Sequence, residues 1–507
     1  MKKIHILILA VISLTVAFSC SKFEELNTNP NAVSTVSPEM LATQLMKNAY
    51  RFWNPNSADF ASGNLWCKHT AVLNGANPYQ YNYSFWPYGG FGGTQAFPTL
   101  KKMEEFAIGS PAESSFQGLA LFFRAGAGGA TFEMGDIPYS EAGKAEEGLT
   151  RPKYDKQADI IVAMLNYYKA AEEKFALGKN FGACDIMYNG DASKWRKLCN
   201  LSQLKLIQTI SKKATAEQKA RFAAIVAAGN LMTSNADNFQ LLYSDNPNAT
   251  HPYYNGEGQR LNNGVSKLVV NELKNLKDRR LFYFAEPAKY LIAAGKLETD
   301  FDAYEGAPTE LSADKLAVNN QAGKYSLINI RYTLLKAGDP FLKISYAEQC
   351  FILAEAVEEG WITGDAKAYY ENGVKAQLTY YMNLPSAQSG YHNMKITQAY
   401  IDGYFTGEAA YKITGTKIDR LRQVWTQRWL LDFFTGTLNY YNFLRTGWPL
   451  FPLDPATSMN PEDKTKVPQR WKYPTTELTQ NPDNYKKAID EQFGGNDGIN
   501  EVLWWLK

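Results

Sequence analysis

Apolar side chains recur along this chain at intervals of three and four residues, a period that few arrangements other than packed helices can use. Ile161, Leu165, Tyr168, Ala171 and Phe175 fall on one helical stripe, and Ala347, Cys350, Ala354, Val357 and Trp361 repeat the pattern. Residues 195 to 210 and 421 to 434 are apolar on most sides, with Trp425, Trp429 and Phe433 at four-residue steps. Helices of that kind lie buried among other helices. Residues 345 to 360 and 365 to 381 form two helical stretches separated only by Trp361-Ile362-Thr363-Gly364. Antiparallel pairs with short turns are the unit of tetratricopeptide-like scaffolds. The spacing is too irregular to define a repeat by self-similarity, so the expectation from periodicity is a mainly α protein built from helix pairs.

The first twenty residues address the chain rather than fold it. Met1-Lys2-Lys3 is followed by an apolar run from Ile4 to Phe18 and then Ser19-Cys20. A short basic region, an apolar core too short to span a bilayer comfortably and a small residue at the cut make a signal peptide over residues 1–19. Cys20 stands where a bacterial lipoprotein carries its lipidated cysteine, and Ala17-Phe18-Ser19-Cys20 resembles the lipobox, with Ala17 where Leu is usual. Several acyl chains would hold the protein on a membrane far better than one. Residues 20–37 then read as a polar tether, and residues 38–507 as a single helical domain, since no linker or compositional break divides them.

Charge excludes one class of partner. Removing the signal takes Lys2 and Lys3 from 53 basic residues and leaves the 51 acidic ones intact, so the mature chain is formally neutral. Neither a nucleic-acid surface nor a basic membrane patch is indicated. Apart from Cys20, only Cys67, Cys184, Cys199 and Cys350 remain, which is no disulfide scaffold, and no Cys-x-x-Cys occurs.

No catalytic pattern emerges. His5 leaves with the signal, and His69, His251 and His392 are isolated in sequence. A His-Glu-x-x-His helix, a Gly-x-Ser-x-Gly elbow and a phosphate-binding glycine loop are all missing. Gly89-Gly90-Phe91-Gly92-Gly93 follows aromatics rather than a buried strand and reads as a loop. Glycoside hydrolysis needs two carboxylates facing each other across a bond, and sequence alone shows no such separation. The chain is therefore read as a non-enzyme with no catalytic residue, no cofactor and no catalytic metal centre, and a structural Ca2+ is left open by the sequence.

What stands out instead is ring density in the loops. Long segments rich in Gly, Asn, Pro and Tyr cover residues 74–93, 237–264, 295–332 and 446–485. Loops of such length in a compact domain are usually functional. Tyr79, Tyr81, Tyr83, Phe85, Trp86, Tyr88 and Phe91 crowd into thirteen residues beside Asn77, Gln80 and Asn82. If this segment is extended, Tyr79, Tyr81, Tyr83 and Phe85 alternate onto one face. One reading is a sugar platform in which rings stack on C–H faces and amides bond hydroxyls; the other is that the rings pin a long loop to the helices. Trp86, Tyr81, Tyr83, Tyr88, Tyr79 and Asn82 are the candidate ligand residues, with Tyr253 and Tyr254 in His251-Pro252-Tyr253-Tyr254-Asn255-Gly256 as a second group.

Further segments resemble the SusD/RagB family of outer-membrane lipoproteins, in the subgroup described as starch-binding and associating with the outer membrane. The resemblance starts at Cys20 and Asn27-Thr28-Asn29-Pro30-Asn31, continues through Gly135-Asp136-Ile137-Pro138-Tyr139-Ser140-Glu141-Ala142, residues 195 to 206 and Asp278-Arg279-Arg280-Leu281, and includes the Ala- and Glu-rich stretch from Ser345 to Ala356. Gln427-Arg428-Trp429, Arg445-Thr446-Gly447-Trp448-Pro449, Arg470-Trp471-Lys472-Tyr473-Pro474, Glu477, Asn481, Asn484-Tyr485, Gly494-Gly495-Asn496-Asp497 and Trp504-Trp505 follow in order. The resemblance implies tetratricopeptide-like pairs in a right-handed superhelical scaffold, with loop-rich insertions carrying the ligand face. It also implies a SusC-like TonB-dependent transporter as partner, an oligosaccharide or polysaccharide as ligand, and surface display, for which Glu24 and Glu25 resemble the export signal. A peptide or another nutrient on the same architecture is the alternative, with a glycoside hydrolase behind it. The matching pieces, Arg445 and Gly447 among them, read as structural helices and turns rather than as a site.

Overall fold

The computed structural model describes residues 36–50, 62–82, 88–384, 390–435 and 440–507. Cys20 and nearly all of the tether lie outside the described residues. The helices longer than six residues are α1 (Pro38–Ala49), α2 (Phe97–Ala107), α3 (Glu113–Ala127), α4 (Gln157–Phe175), α5 (Ala192–Thr209), α6 (Ala216–Ala228), α7 (Lys267–Asn275), α8 (Ala313–Gln321), α9 (Tyr346–Glu358), α10 (Ala366–Asn383), α11 (Lys417–Leu431), α12 (Tyr440–Thr446) and α13 (Pro482–Phe493). Strands are few and short. β1 (Thr70–Val72) pairs antiparallel with β3 (Asn263–Val265), Thr70 opposite Val265, and β2 (Phe239–Leu241) pairs antiparallel with β4 (Phe341–Ile344), Phe239 opposite Ile344.

Local chemistry starts these helices where the sequence places them. Asp191, Ser345 and Asp365 cap α5, α9 and α10 by accepting from backbone N–H groups of the first turn. Thr215 with Gln218 and Thr416 with Asp419 close reciprocal capping boxes on α6 and α11. Each such cap satisfies donors that the helix itself cannot, and is worth about 1 kcal/mol.

Consecutive helices pack as the pairing predicts: α3 on α4, α4 on α5, α5 on α6 and α9 on α10, with α11 against α9. Trp195 of α5 anchors the first of two apolar cores. Phe175 stacks on it at 5.6 Å, Phe122 and Phe239 meet it edge-on at 5.2 and 5.3 Å, and its Nε1 donates to Asp185 at 2.6 Å. The second core gathers α7, α9, α10 and α11 around Phe284 and Phe433, whose rings stack at 4.1 Å. Helix α9 serves both, giving Ile352, Leu353 and Ala356 to the first and Ala347, Phe351 and Ala354 to the second.

Two sequence expectations change here. The stripe over 421–434 ends at Leu431, so Phe433 lies in a turn, and Phe434 takes a φ of 58°. Trp361 likewise falls beyond the end of α9, where its ring meets Phe222 at 5.5 Å. The loop stretches are also less bare than they read, since β2 and most of β3 lie within residues 237–264 and α8 within 295–332. Cys67, Cys184, Cys199 and Cys350 form no disulfide with one another.

The segments that carried the family resemblance sit at the joints. Arg428 of α11 donates to Glu348 of α9 at 3.0 Å, and Lys205 of α5 reaches the same carboxylate at 2.8 Å. Arg445 pairs with Glu355, and Arg470 with Asp497 at 2.6 Å. Trp429 donates from Nε1 to the Cys67 carbonyl at 2.8 Å, which fixes the start of the loop region to the helical frame.

Candidate functional site

The loop beginning at Asn77 does not run extended. Gln80 N and Tyr81 N both donate to the Asn77 carbonyl, at 3.1 and 3.2 Å, while Tyr79 N donates to Asn77 Oδ1 at 2.9 Å. The result is a turn that closes at Asn82, whose φ of 63° is one that Asn tolerates better than most residues. Tyr79 and Tyr81 are therefore not set on one face by strand alternation, contrary to the sequence expectation.

Each candidate now has a place. Tyr81 is 4% exposed, its hydroxyl donates to the Leu311 carbonyl at 2.7 Å and its own carbonyl accepts from Met459 N at 2.8 Å. Asn82 is also buried. Both side chains face inward and are unavailable to an incoming ligand in this conformation. Gln80 pins the turn further, accepting from Val72 N at 2.6 Å and donating to the Thr309 carbonyl at 3.2 Å. Tyr83 and Trp86 lie outside the described residues. Tyr88 is 37% exposed and bridges Lys472, with Gly89 N donating to the Lys472 carbonyl at 2.7 Å. The backbone comes so close here that a Cβ on Gly89 would stand 2.4 Å from Met134 Sδ.

Beneath the loop lies an aromatic tier. Buried Trp66 meets half-buried Tyr79 edge-on at 6.2 Å and tilts against Trp471 at 5.3 Å. Phe443 stacks on Phe451 at 3.8 Å, and Leu450 beside them is 70% exposed. Tyr79, Phe451 and Trp471 are half-buried and Tyr88 is exposed, so three separate segments bring partly accessible rings to this region. Their chemistry suits stacking on apolar C–H faces. Phe451 escaped the sequence reading because rings are far sparser in its loop than in residues 79–91, and only folding brings it to the others.

The second group divides. Tyr253 is 3% exposed, packed between His251 at 5.1 Å and Phe434 at 6.0 Å, so its ring belongs to the core. Tyr254 is half-buried and reaches the surface. His251 is buried and its pKa is pulled down to about 4 by burial, against the opposing pull of Asp339; His69, buried with Nε2 2.9 Å from the Trp429 carbonyl, is pulled down to about 3 by burial against that hydrogen bond. A carbonyl only accepts, so His69 Nε2 carries the proton of the neutral ring.

The sign of the resulting pH dependence is set by the unfolded chain. Both histidines are neutral when folded and titrate near 6.5 when unfolded, so the unfolded state takes up protons first as pH falls. Their contribution is complete above the unfolded value and is lost from there down toward the folded values. At ~pH 5.5 each should cost about 1.4 kcal/mol of stability. Urea midpoints at neutral pH and at ~pH 5.5 check this, and the difference should shrink in His251→Gln.

Volume alone points elsewhere. A cleft of about 880 Å3 opens between α1, α3, α4, α5 and β4, with Phe122, Phe123 and Phe239 in its wall and Gly92 and Gly93 on its rim. Lys343 lines it, its pKa lowered to about 8 by burial and by neighbouring Lys205. Among the described residues no three His, Cys, Asp or Glu side chains converge as metal ligands, and no helix is long and apolar enough to cross a membrane.

Residues 30–474 match the profile of the SusD-like family described as starch-binding and associating with the outer membrane. The chain belongs to the SusD/RagB family. A SusD homologue from Bacteroides fragilis NCTC 9343 shares 34% identity and superposes with a TM-score of 0.87, over 93% of this chain and 100% of its own. A second SusD homologue from that strain shares 30% identity at a TM-score of 0.81, with the same coverage of both chains. A protein described as chitin-binding is similar at 25% identity and a TM-score of 0.72, again over 93% of this chain and 100% of its own. No curated protein matches the sequence. The helix pairs of this SusD-like chain are those of its family, and the family is one of binding proteins.

Proposed function

We propose that this protein is a lipid-anchored, outward-facing glycan-binding protein that captures oligosaccharides and delivers them to a SusC-like TonB-dependent transporter. The observation that carries the reading is the family match over residues 30–474, supported by the partly accessible rings of Tyr79, Phe451 and Trp471 in one cluster and the exposed Tyr88 paired with Lys472 next to Trp471. A neutral sugar offers few strong interactions, so its capture rests on stacked rings and hydroxyl hydrogen bonds. Delivery then requires ligand contacts that differ between an open and a closed state of the complex, because only such a difference shifts the equilibrium. Cys20 supplies the anchor: palmitate label should appear on the wild type and vanish in Cys20→Ala.

The reading is tested by electrophoresis of the mature chain through gels holding single soluble polysaccharides, with reducing ends assayed in parallel. Retarded migration in at least one glycan, without release of reducing ends, is the expected result. Retardation in none, with binding to a peptide pool instead, would move the ligand class. Turnover abolished by a single Asp or Glu substitution would make the protein a hydrolase.

A further inference from the structure

The cleft of about 880 Å3 between α1, α3, α4, α5 and β4 is built unlike the ring-bearing loop region. Its volume falls among those of sites that enclose a small molecule, roughly 300–1,000 Å3. The walls are mainly apolar, with Phe122, Phe123 and Phe239 joined by Met164, Leu206 and Ile344. A neutral sugar would set hydroxyls against these walls without partners, which is unfavourable.

Charge in the cleft has one sign. The charged side chains among the described lining residues are Lys205 and Lys343, and no Asp or Glu joins them. Lys205 is already paired, since Glu348 accepts from it at 2.8 Å and from Arg428 at 3.0 Å. The ammonium of Lys343, partly buried on β4, makes no hydrogen bond or ion pair with any described residue. Burial and the like charge of Lys205 lower its pKa to about 8, against the pull of Glu348, Asp432 and Glu133, the last of which accepts from the Tyr441 hydroxyl at 2.9 Å. Ser202, one turn before Lys205 on α5, also lines the cleft; it is 7% exposed and its Oγ has no hydrogen-bond partner among the described residues. Polar groups left unpaired in such surroundings are costly, and both of these can donate to an acceptor that enters the cleft.

One unpaired ammonium matches one negative charge, and apolar walls match an apolar body. A dianion would need a second free cation, which Lys205 cannot supply while Glu348 holds it. We infer that this cleft binds an amphipathic monocarboxylate, its apolar body against Phe122, Phe123 and Phe239 and its carboxylate accepting from the Lys343 ammonium. The site uses none of Tyr79, Tyr88, Phe451 and Trp471, so it stands apart from the glycan-binding reading.

The test titrates the mature chain calorimetrically with four probes below their micelle concentrations: decanoate, 1-decanol, acetate and decyltrimethylammonium. Decanoate should bind at ~pH 7, 1-decanol about tenfold more weakly, and acetate and the cation not measurably. Lys343→Met should weaken decanoate about tenfold and leave 1-decanol unchanged. A Cβ on Gly126, which lines the cleft, would meet no atom within 4 Å, so Gly126→Leu should fold and weaken decanoate and 1-decanol alike. Raising the wild type to ~pH 9.5 discharges Lys343 while ordinary lysines, near 10.4, stay charged, and should also weaken decanoate about tenfold; this arm decides if Lys343→Met melts early. Absence of decanoate binding, or equal binding of 1-decanol or the cation, overturns the site. Wild-type affinity in a Lys343→Met chain that melts as the wild type does overturns it as well. Neither result touches polysaccharide retardation, by which the glycan-binding reading is judged separately.

Discussion

Replacing Arg280 by Ala should lower the unfolding free energy by about 3–5 kcal/mol, the cost of leaving one member of a buried ion pair alone. Arg280 and Asp278 are both fully buried. The guanidinium donates to Asp278 from Nε at 3.0 Å, and from its other nitrogens to Gln377 of α10 and Gln427 of α11. Asp278 also accepts from the Arg280 backbone N–H at 2.8 Å and from the Tyr404 hydroxyl. Burial works against the charge on Arg280, but Asp278 together with the nearby Tyr404 and Tyr381 hydroxyls more than offsets it and raises the pKa. Removing the cation strands a carboxylate in the second core and frees two amides at once. Arg280→Lys should recover only part of the loss, since an ammonium cannot reproduce the planar fork that serves three partners. Equilibrium urea unfolding of both variants measures this, and a loss below about 1 kcal/mol for Arg280→Ala would show that the pair is solvated.

The same residue shows how much of this protein its sequence makes legible. Asp278-Arg279-Arg280-Leu281 is recognisable as a family segment, yet its job depends on Gln377 and Gln427, which only the fold brings to it. Helix α4 was readable because Ile161, Leu165, Tyr168, Ala171 and Phe175 must all face one way, and all five are buried. The end of α11 was not, because Trp425, Trp429 and Phe433 keep the period past Leu431 while the backbone turns. Alternation misled at Tyr79 and Tyr81 for a related reason. Asn77 captures the backbone N–H groups locally, and the hydroxyl of Tyr81 finds a carbonyl 230 residues away. Ring density singled out this loop, but which of its rings turn inward, as Tyr81 does, was decided by long-range contacts.

The second large effect concerns that loop. Tyr88 remains exposed on a segment whose backbone is fixed to Lys472, and Trp86, outside the described residues, stands two positions before it. A ring that stacks on a sugar removes apolar area from water, a gain of roughly 1–3 kcal/mol for a large side chain. Losing it should weaken oligosaccharide binding about tenfold or more. A ring that only packs inside the protein behaves otherwise, because large aromatic to Ala changes in cores cost about 3–5 kcal/mol of stability. Affinity and stability, measured on the same variants, therefore separate the two roles.

The most direct measurement is a calorimetric titration of the mature wild type, Trp86→Ala and Tyr88→Ala with an oligosaccharide from the polysaccharide that retards the protein, paired with a melting curve for each. The account predicts that both variants melt close to the wild type and that at least one binds about tenfold more weakly. Wild-type affinity in both folded variants would contradict it.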